Sequence, residues 1–188
     1  MIILALGVAL WSAAHFLPSV SPGTREGLID MVGPKVYRGL FTVDMLIALA
    51  LIVWGYQRAD WVAVYDPPVW GVHANNALMI LAIYLFGVGG AKGWVASKIR
   101  HPMLLGAATW AVAHLLANGD QASVLLFGGL LLWSIGMIFM INRRVGAWAP
   151  PTPAGIKAEV VLIVMTLVIY GAIAFIHGVL LGVWPFPG

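Results

Sequence analysis

RHPMLLGAATWAVAHLLANGD, residues 100–120, decides how this chain is read. It opens on the basic pair Arg100 and His101 and a proline. It then runs small and apolar, and places His114, Asn118 and Asp120 at the far end. That length of apolar chain matches a membrane-crossing helix. Polar groups held in hydrocarbon are costly, so a sequence that keeps them there points to a use for them.

Composition extends this reading to the whole chain. Of 188 residues, 62% are hydrophobic and 9% charged, against roughly 25% charged in a soluble domain. At about 20 residues per span, there is room for about six spans joined by short connections and none for a separate soluble domain. Cysteine is absent, which excludes disulfides and thiolate ligation of zinc or haem.

The first apolar run is Met1 to about Leu17, closed by Pro18, and it reads as an anchor because a basic n-region and a small-residue cleavage site are missing. A polar stretch, Ser19–Tyr37, holds Arg25, Glu26, Asp30 and Lys35. The next spans fall at about Arg38–Tyr56, Val69–Ala91, His101–Ala117, Ala122–Asn142 and Ala158–Val183. With Arg38 counted in the first connection, the five connections hold 3, 1, 3, 0 and 3 Lys or Arg residues. This alternation places the first, third and fifth in the cytoplasm. The predicted fold class is therefore all-α, a polytopic membrane protein with six transmembrane helices and both termini outside. Trp61, Trp70, Trp94, Trp148 and Trp184 fall near predicted boundaries, where interfacial aromatics belong. The short turn Asn118–Gln121 predicts that spans four and five are antiparallel neighbours.

One internal similarity links the spans. GVALWSAAHFLP (7–18) and GAATWAVAHLLA (106–117) coincide at six of twelve positions, including Gly, Trp and His. Taken as a repeat, this predicts two halves of three consecutive helices, inverted in the membrane.

All five histidines lie in spans or at their ends. By depth, His15 and His101 fall toward the cytoplasmic side, and His73, His114 and His177 toward the outer side. His114 shares a helix stripe with Trp110 and Asn118, at i−4 and i+4, with Ala107 and Ala111 leaving space beside it. An imidazole beside small residues in a helical bundle suits ligation of a haem iron. His15 has a similar setting, with Trp11 at i−4. Each of these histidines also has a plainer reading as an interhelical hydrogen-bond partner. His101, before Pro102, reads as a helix-start residue, and His177 as structural. Asp44 is the clearest intramembrane carboxylate, and an ion-pair role suits it as well as a proton-carrying one. Neither Glu-x-x-His nor His-Glu-x-x-His occurs, which argues against a di-iron or mononuclear zinc site.

HFLPS (15–19), GPKVYRGLF (33–41), GVHANN (71–76) and above all RHP (100–102) with W-x-x-x-H (110–114) resemble the NnrU family of bacterial membrane proteins, whose plant relative is 15-cis-zeta-carotene isomerase. The resemblance spans most of the chain. It implies one NnrU-like transmembrane domain, 1–188, in the bacterial inner (cytoplasmic) membrane, with a link to nitrite and nitric oxide metabolism in denitrification. Through the plant relative it also implies a haem b whose two histidine ligands match His15 and His114, and isomerisation of an apolar cis polyene. A cysteine that serves the plant enzyme as an alternative ligand falls at Ala111, so that exchange does not carry over. Depth gives a different pairing. At ~1.5 Å per residue the spans leave His15 and His114 roughly 15 Å apart in height, whereas two axial imidazoles need ring nitrogens about 4 Å apart, twice a bond of ~2 Å. His114 with His73, or His15 with His101, satisfies depth. The expected ligands are thus His114 and His15, with His73 and His101 as alternative partners. The expected partners are the bilayer and either a polyene or nitric oxide, with no nucleic acid. A transporter, or a structural or assembly subunit without enzymatic activity, is the competing reading.

Overall fold

The structure, a computed structural model, describes residues 1–186. Its helices are α1 (Ile2–Val20), α2 (Pro22–Val32), α3 (Pro34–Gln57), α4 (Gly71–Ala91), α5 (Pro102–Ala117), α6 (Gln121–Val145) and α7 (Ile156–Ile176). A π turn over Val124–Gly128 lies within α6, and a second, His177–Leu181, continues α7. The one strand-like pairing among the described residues is an isolated bridge between Ala63 and Asp120.

Helices α1, α3, α4, α6 and α7 are long and apolar enough to cross a membrane, and α5 is a shorter apolar helix of 16 residues, about 24 Å in length. On α7, Val160, Val164, Leu167 and Val168 are each more than half exposed. Apolar surface that continuous is unfavourable in water and is satisfied by lipid. The chain is an all-α polytopic membrane protein. Trp61, Trp70, Trp94 and Trp184 stand exposed just beyond helix ends, and Lys98 lies over the Trp94 ring at 5.5 Å, an arrangement suited to the headgroup layer.

Proline sets the starts of α2, α3 and α5, where Pro22, Pro34 and Pro102 occupy the first turn and the missing N–H has no helical partner to lose. Two features differ from the sequence expectation. Pro18 does not close α1 but lies inside it. So near the helix end it removes a single backbone bond, and its own carbonyl accepts from Arg144 Nη1 at 3.0 Å. The polar stretch after it is not a loop but mostly the helix α2, whose Leu28 and Val32 face a cleft shared with α1 and α3. Gly33, at φ +83°, then breaks the chain before α3.

The helices pack as two compact units, each assembled from separated stretches of chain. Unit 1 takes Met1–Tyr65 and Asp120–Gly146, hence α1, α2, α3 and α6. Unit 2 takes Asp66–Gly119 and the chain from Ala147, hence α4, α5 and α7. In unit 1, α1 lies against α3 around Leu4 and Ala48, both fully buried. The backbones close at Gly7, where an added Cβ would stand 2.8 Å from Ile52 N and 3.0 Å from Ala48 O. In unit 2, α5 lies against α4, and an added Cβ at Gly106 would stand 3.1 Å from Ala82 O. Gly7 and Gly106 are aligned positions of the 7–18 and 106–117 segments, and each does the same work in its own unit. A further long helix completes each unit, α6 packing on α1 and α7 on α4.

The similarity between the two segments thus has a structural counterpart, but the halves it predicts do not. The consecutive halves α1–α4 and α5–α7 are not the packed units. The Trp-x-x-x-His helix comes before its partner in unit 1 and after it in unit 2. The turn before Gln121 carries the chain from one unit to the other, so α5 takes α4 as its packing partner and α6 takes α1.

Candidate functional site

Both Trp-x-x-x-His helices present their imidazole in one way. His15 Nδ1 is 2.8 Å from the carbonyl of Trp11, and His114 Nδ1 is 2.9 Å from the carbonyl of Trp110. A carbonyl oxygen only accepts, so Nδ1 carries the proton and, in the neutral ring, the lone pair lies on Nε2. This is how a metal-ligating histidine is oriented by its surroundings.

In unit 1 the His15 ring sits among aromatics. Trp11 is 4.6 Å away, Trp133 of α6 5.0 Å and Phe41 of α3 5.5 Å, centroid to centroid. Trp11 and Trp133 meet edge to face at 5.7 Å. The indole Nε1 groups of both tryptophans are buried and have no hydrogen-bond partner among the described residues. A buried donor left unpaired costs about 1–3 kcal/mol, so two beside one imidazole single out this cluster within unit 1.

In unit 2, His114 is half-buried on α5. Trp110 is 5.1 Å from it, and Trp110 packs with Leu78, Tyr170 and Ile173 on a core of Met79, Ile83 and Ala113. Ala111 and Ala113 are fully buried, so the small residues beside His114 serve close packing. Asn118 donates from Nδ2 to the His114 carbonyl at 2.9 Å, closing the end of α5. His177, which follows α7, repeats the same lock, Nδ1 to Ile173 O at 3.0 Å.

The other candidates separate. His73 is exposed in the first turn of α4. His101 occupies the N-cap of α5, before Pro102, as a helix-start residue does. Asp120 caps α6, accepting from Ser123 N at 3.0 Å and Ser123 Oγ at 2.5 Å, while Tyr56 Oη donates to Ser123 Oγ at 2.8 Å. Asp44 lines the cleft between α1, α2 and α3. No cluster of three or more His, Cys, Asp or Glu side chains occurs among the described residues.

Three residues that matter here carry no motif. Trp133 has no part in the sequence reading, and the signal that would mark it is its position within an apolar span, away from the boundaries where Trp61, Trp70, Trp94, Trp148 and Trp184 fall. His177 reads as a helix-exit residue, although its spacing from Ile173 offers the same i−4 carbonyl as in the other two histidines. Glu159, in the first turn of α7, accepts a hydrogen bond from Tyr84 Oη of α4, and its Oε2 is buried without a partner among the described residues. An acid at a helix start is favourable on electrostatic grounds alone, which hides it in the sequence.

The family model described as NnrU protein matches residues 3–185. No curated protein and no solved structure matches the chain. A match over nearly the whole length takes in both Trp-x-x-x-His helices and both packed units, and by it the chain belongs to the NnrU family.

Proposed function

We propose that the chain is a haem b-binding membrane protein acting on an uncharged apolar ligand, with His114 and His15 as the imidazoles offered to iron, each within its own unit. The observation that carries this reading is the paired Nδ1 lock, which places the lone pair of each imidazole on Nε2. The unpartnered indole donors of Trp11 and Trp133 fit a group with carboxylate side arms. When bound through a single imidazole, haem would supply an iron with an open position able to take nitric oxide or a double bond of an apolar cis polyene. The chain's own part is to hold the imidazoles in one tautomer and to keep water away. The apolar packing around Trp110, one turn before His114, favours a gas or a hydrocarbon over an anion such as nitrite, because an unpaired charge in hydrocarbon is strongly disfavoured. These two ligands correspond to the two roles the family resemblance implies, nitrogen-oxide metabolism and polyene isomerisation.

The test is the optical spectrum of protein expressed with haem supplementation and purified in mild detergent. A Soret band that co-purifies with the protein is expected, and its absence ends the haem reading. His15→Ala is expected to reduce haem retention while the protein remains folded by circular dichroism. Full retention in that variant removes His15 from the ligand set.

A further inference from the structure

Helix α2 keeps its one base apart from its two acids. Arg25, Leu28 and Val32 share a face at i, i+3 and i+7, while Glu26 and Asp30 lie about 100–140° round the helix from Arg25. Leu28 and Val32 help to wall a groove of ≈ 210 Å³, with Leu17 of α1 and Tyr37, Leu40 and Phe41 of α3 opposite. The surface that the groove exposes is almost wholly apolar. Its α3 wall runs from Tyr37 to Asp44, about 10 Å along the helix. Leu28 and Leu40 are 38% and 58% exposed, so the groove is open along its side. At its Tyr37 end the Arg25 guanidinium lies over the Tyr37 ring, 5.5 Å from the centroid. The Arg25 side chain makes no hydrogen bond or ion pair among the described residues.

An open apolar groove running along a membrane helix takes hydrocarbon. The Tyr37 end is where α1 stops at Val20 and α3 starts at Pro34, the level of the headgroups. A guanidinium stacked on a ring keeps its planar edge for two oxygens of one phosphate. A polyene or a gas would use the groove and leave Arg25 idle, and a soluble phosphate would do the reverse. A phospholipid uses both. The surrounding charge selects its headgroup. Arg38 follows Tyr37 on α3, and Arg144 is held at the Pro18 carbonyl just before α2, while the acids of α2 lie off the groove face. A headgroup ammonium is disfavoured in that company and a net negative headgroup is favoured. We infer that unit 1 holds one anionic phospholipid, an acyl chain in the groove between α1, α2 and α3 and its phosphate on Arg25. The site is independent of any haem.

The test uses the full chain in dodecyl maltoside, titrated with dioleoyl phosphatidylglycerol or dioleoyl phosphatidylcholine, with bound lipid counted by native mass spectrometry. One tightly held phosphatidylglycerol per chain is expected, with phosphatidylcholine at least tenfold weaker. Arg25→Gln is expected to weaken phosphatidylglycerol about tenfold or more, as the loss of hydrogen bonds between charged groups does. Arg58→Gln is the matched control. Arg58 lies over the Trp54 ring at 5.4 Å at the other end of α3, and its loss changes net charge equally, so binding is expected to stay at the wild-type level. Leu40→Trp fills the groove and is expected to abolish the tight site with the unfolding temperature of the lipid-free protein unchanged. The two arginine variants decide the question whether or not Leu40→Trp folds. Equal binding of the two lipids, wild-type binding in Arg25→Gln, or an equal loss in Arg58→Gln overturns the phosphate site. A folded Leu40→Trp that binds phosphatidylglycerol like the wild type overturns the seat of the acyl chain.

Discussion

An imidazole in a membrane helix has to place one N–H. At His15 and His114 the carbonyl four residues back takes it, at 2.8 and 2.9 Å, and the tautomer is settled before any ligand arrives. Spacing alone makes this legible, because Trp-x-x-x-His supplies the i−4 carbonyl on the same helix face. The aromatics around His15 are not legible, since Phe41 and Trp133 come from helices far away in sequence. Trp133→Phe keeps a ring at that position and removes the donor. If the indole N–H pairs with an acceptor of bound haem, haem is expected to dissociate several-fold faster, in line with a hydrogen bond of about 1 kcal/mol. Thermal unfolding of the haem-free protein is expected to change little beyond the lost packing. Stopped-flow transfer of haem to an acceptor protein measures this, and unchanged dissociation would assign the indole to packing alone.

At the scale of elements, the boundaries follow from proline and glycine more than from hydropathy. Pro22, Pro34 and Pro102 each start a helix, and the sequence shows them plainly. The short helix α2 is hidden because its polar residues obscure a segment whose Leu28 and Val32 face α1 and α3. Which glycines hold helices together is equally hidden, for glycine is abundant and only a few meet another backbone. Gly106→Val is expected to destabilise unit 2 by about 1–3 kcal/mol through overpacking against Ala82. Gly90→Ala, with nothing within 4 Å of the added carbon, is expected to be neutral or slightly stabilising. Equal effects of the two in detergent unfolding experiments would contradict the close approach at Gly106. Asp120→Ala is expected to lower stability by about 1 kcal/mol, as the loss of an N-cap does, and its removal also takes away the acceptor of the Ser123 hydroxyl.

At the scale of the molecule, hydropathy and charge alone suffice to read an all-α membrane protein, while the grouping of its helices needs the structure. The aligned segments around His15 and His114 suggest consecutive halves because sequence similarity carries no record of which helices pack. Each unit instead draws on both halves of the chain, unit 1 needing α6 and unit 2 needing α4. Fragments 1–98 and 99–188 expressed separately are therefore expected to aggregate or be degraded, whereas co-expressed they are expected to co-purify with native helical content. A fragment that unfolds cooperatively by itself would contradict the interleaved units.

The most direct measurement is the haem b content of His114→Ala, determined by pyridine haemochrome after purification in mild detergent, with and without free imidazole in the buffers. His114 sits on the face of α5 shared with Trp110, its Nδ1 already bonded. The variant is expected to lose most of the wild-type haem and to regain a Soret band when imidazole occupies the vacated space. Wild-type haem content in His114→Ala without imidazole would contradict the assignment of His114 as an iron ligand.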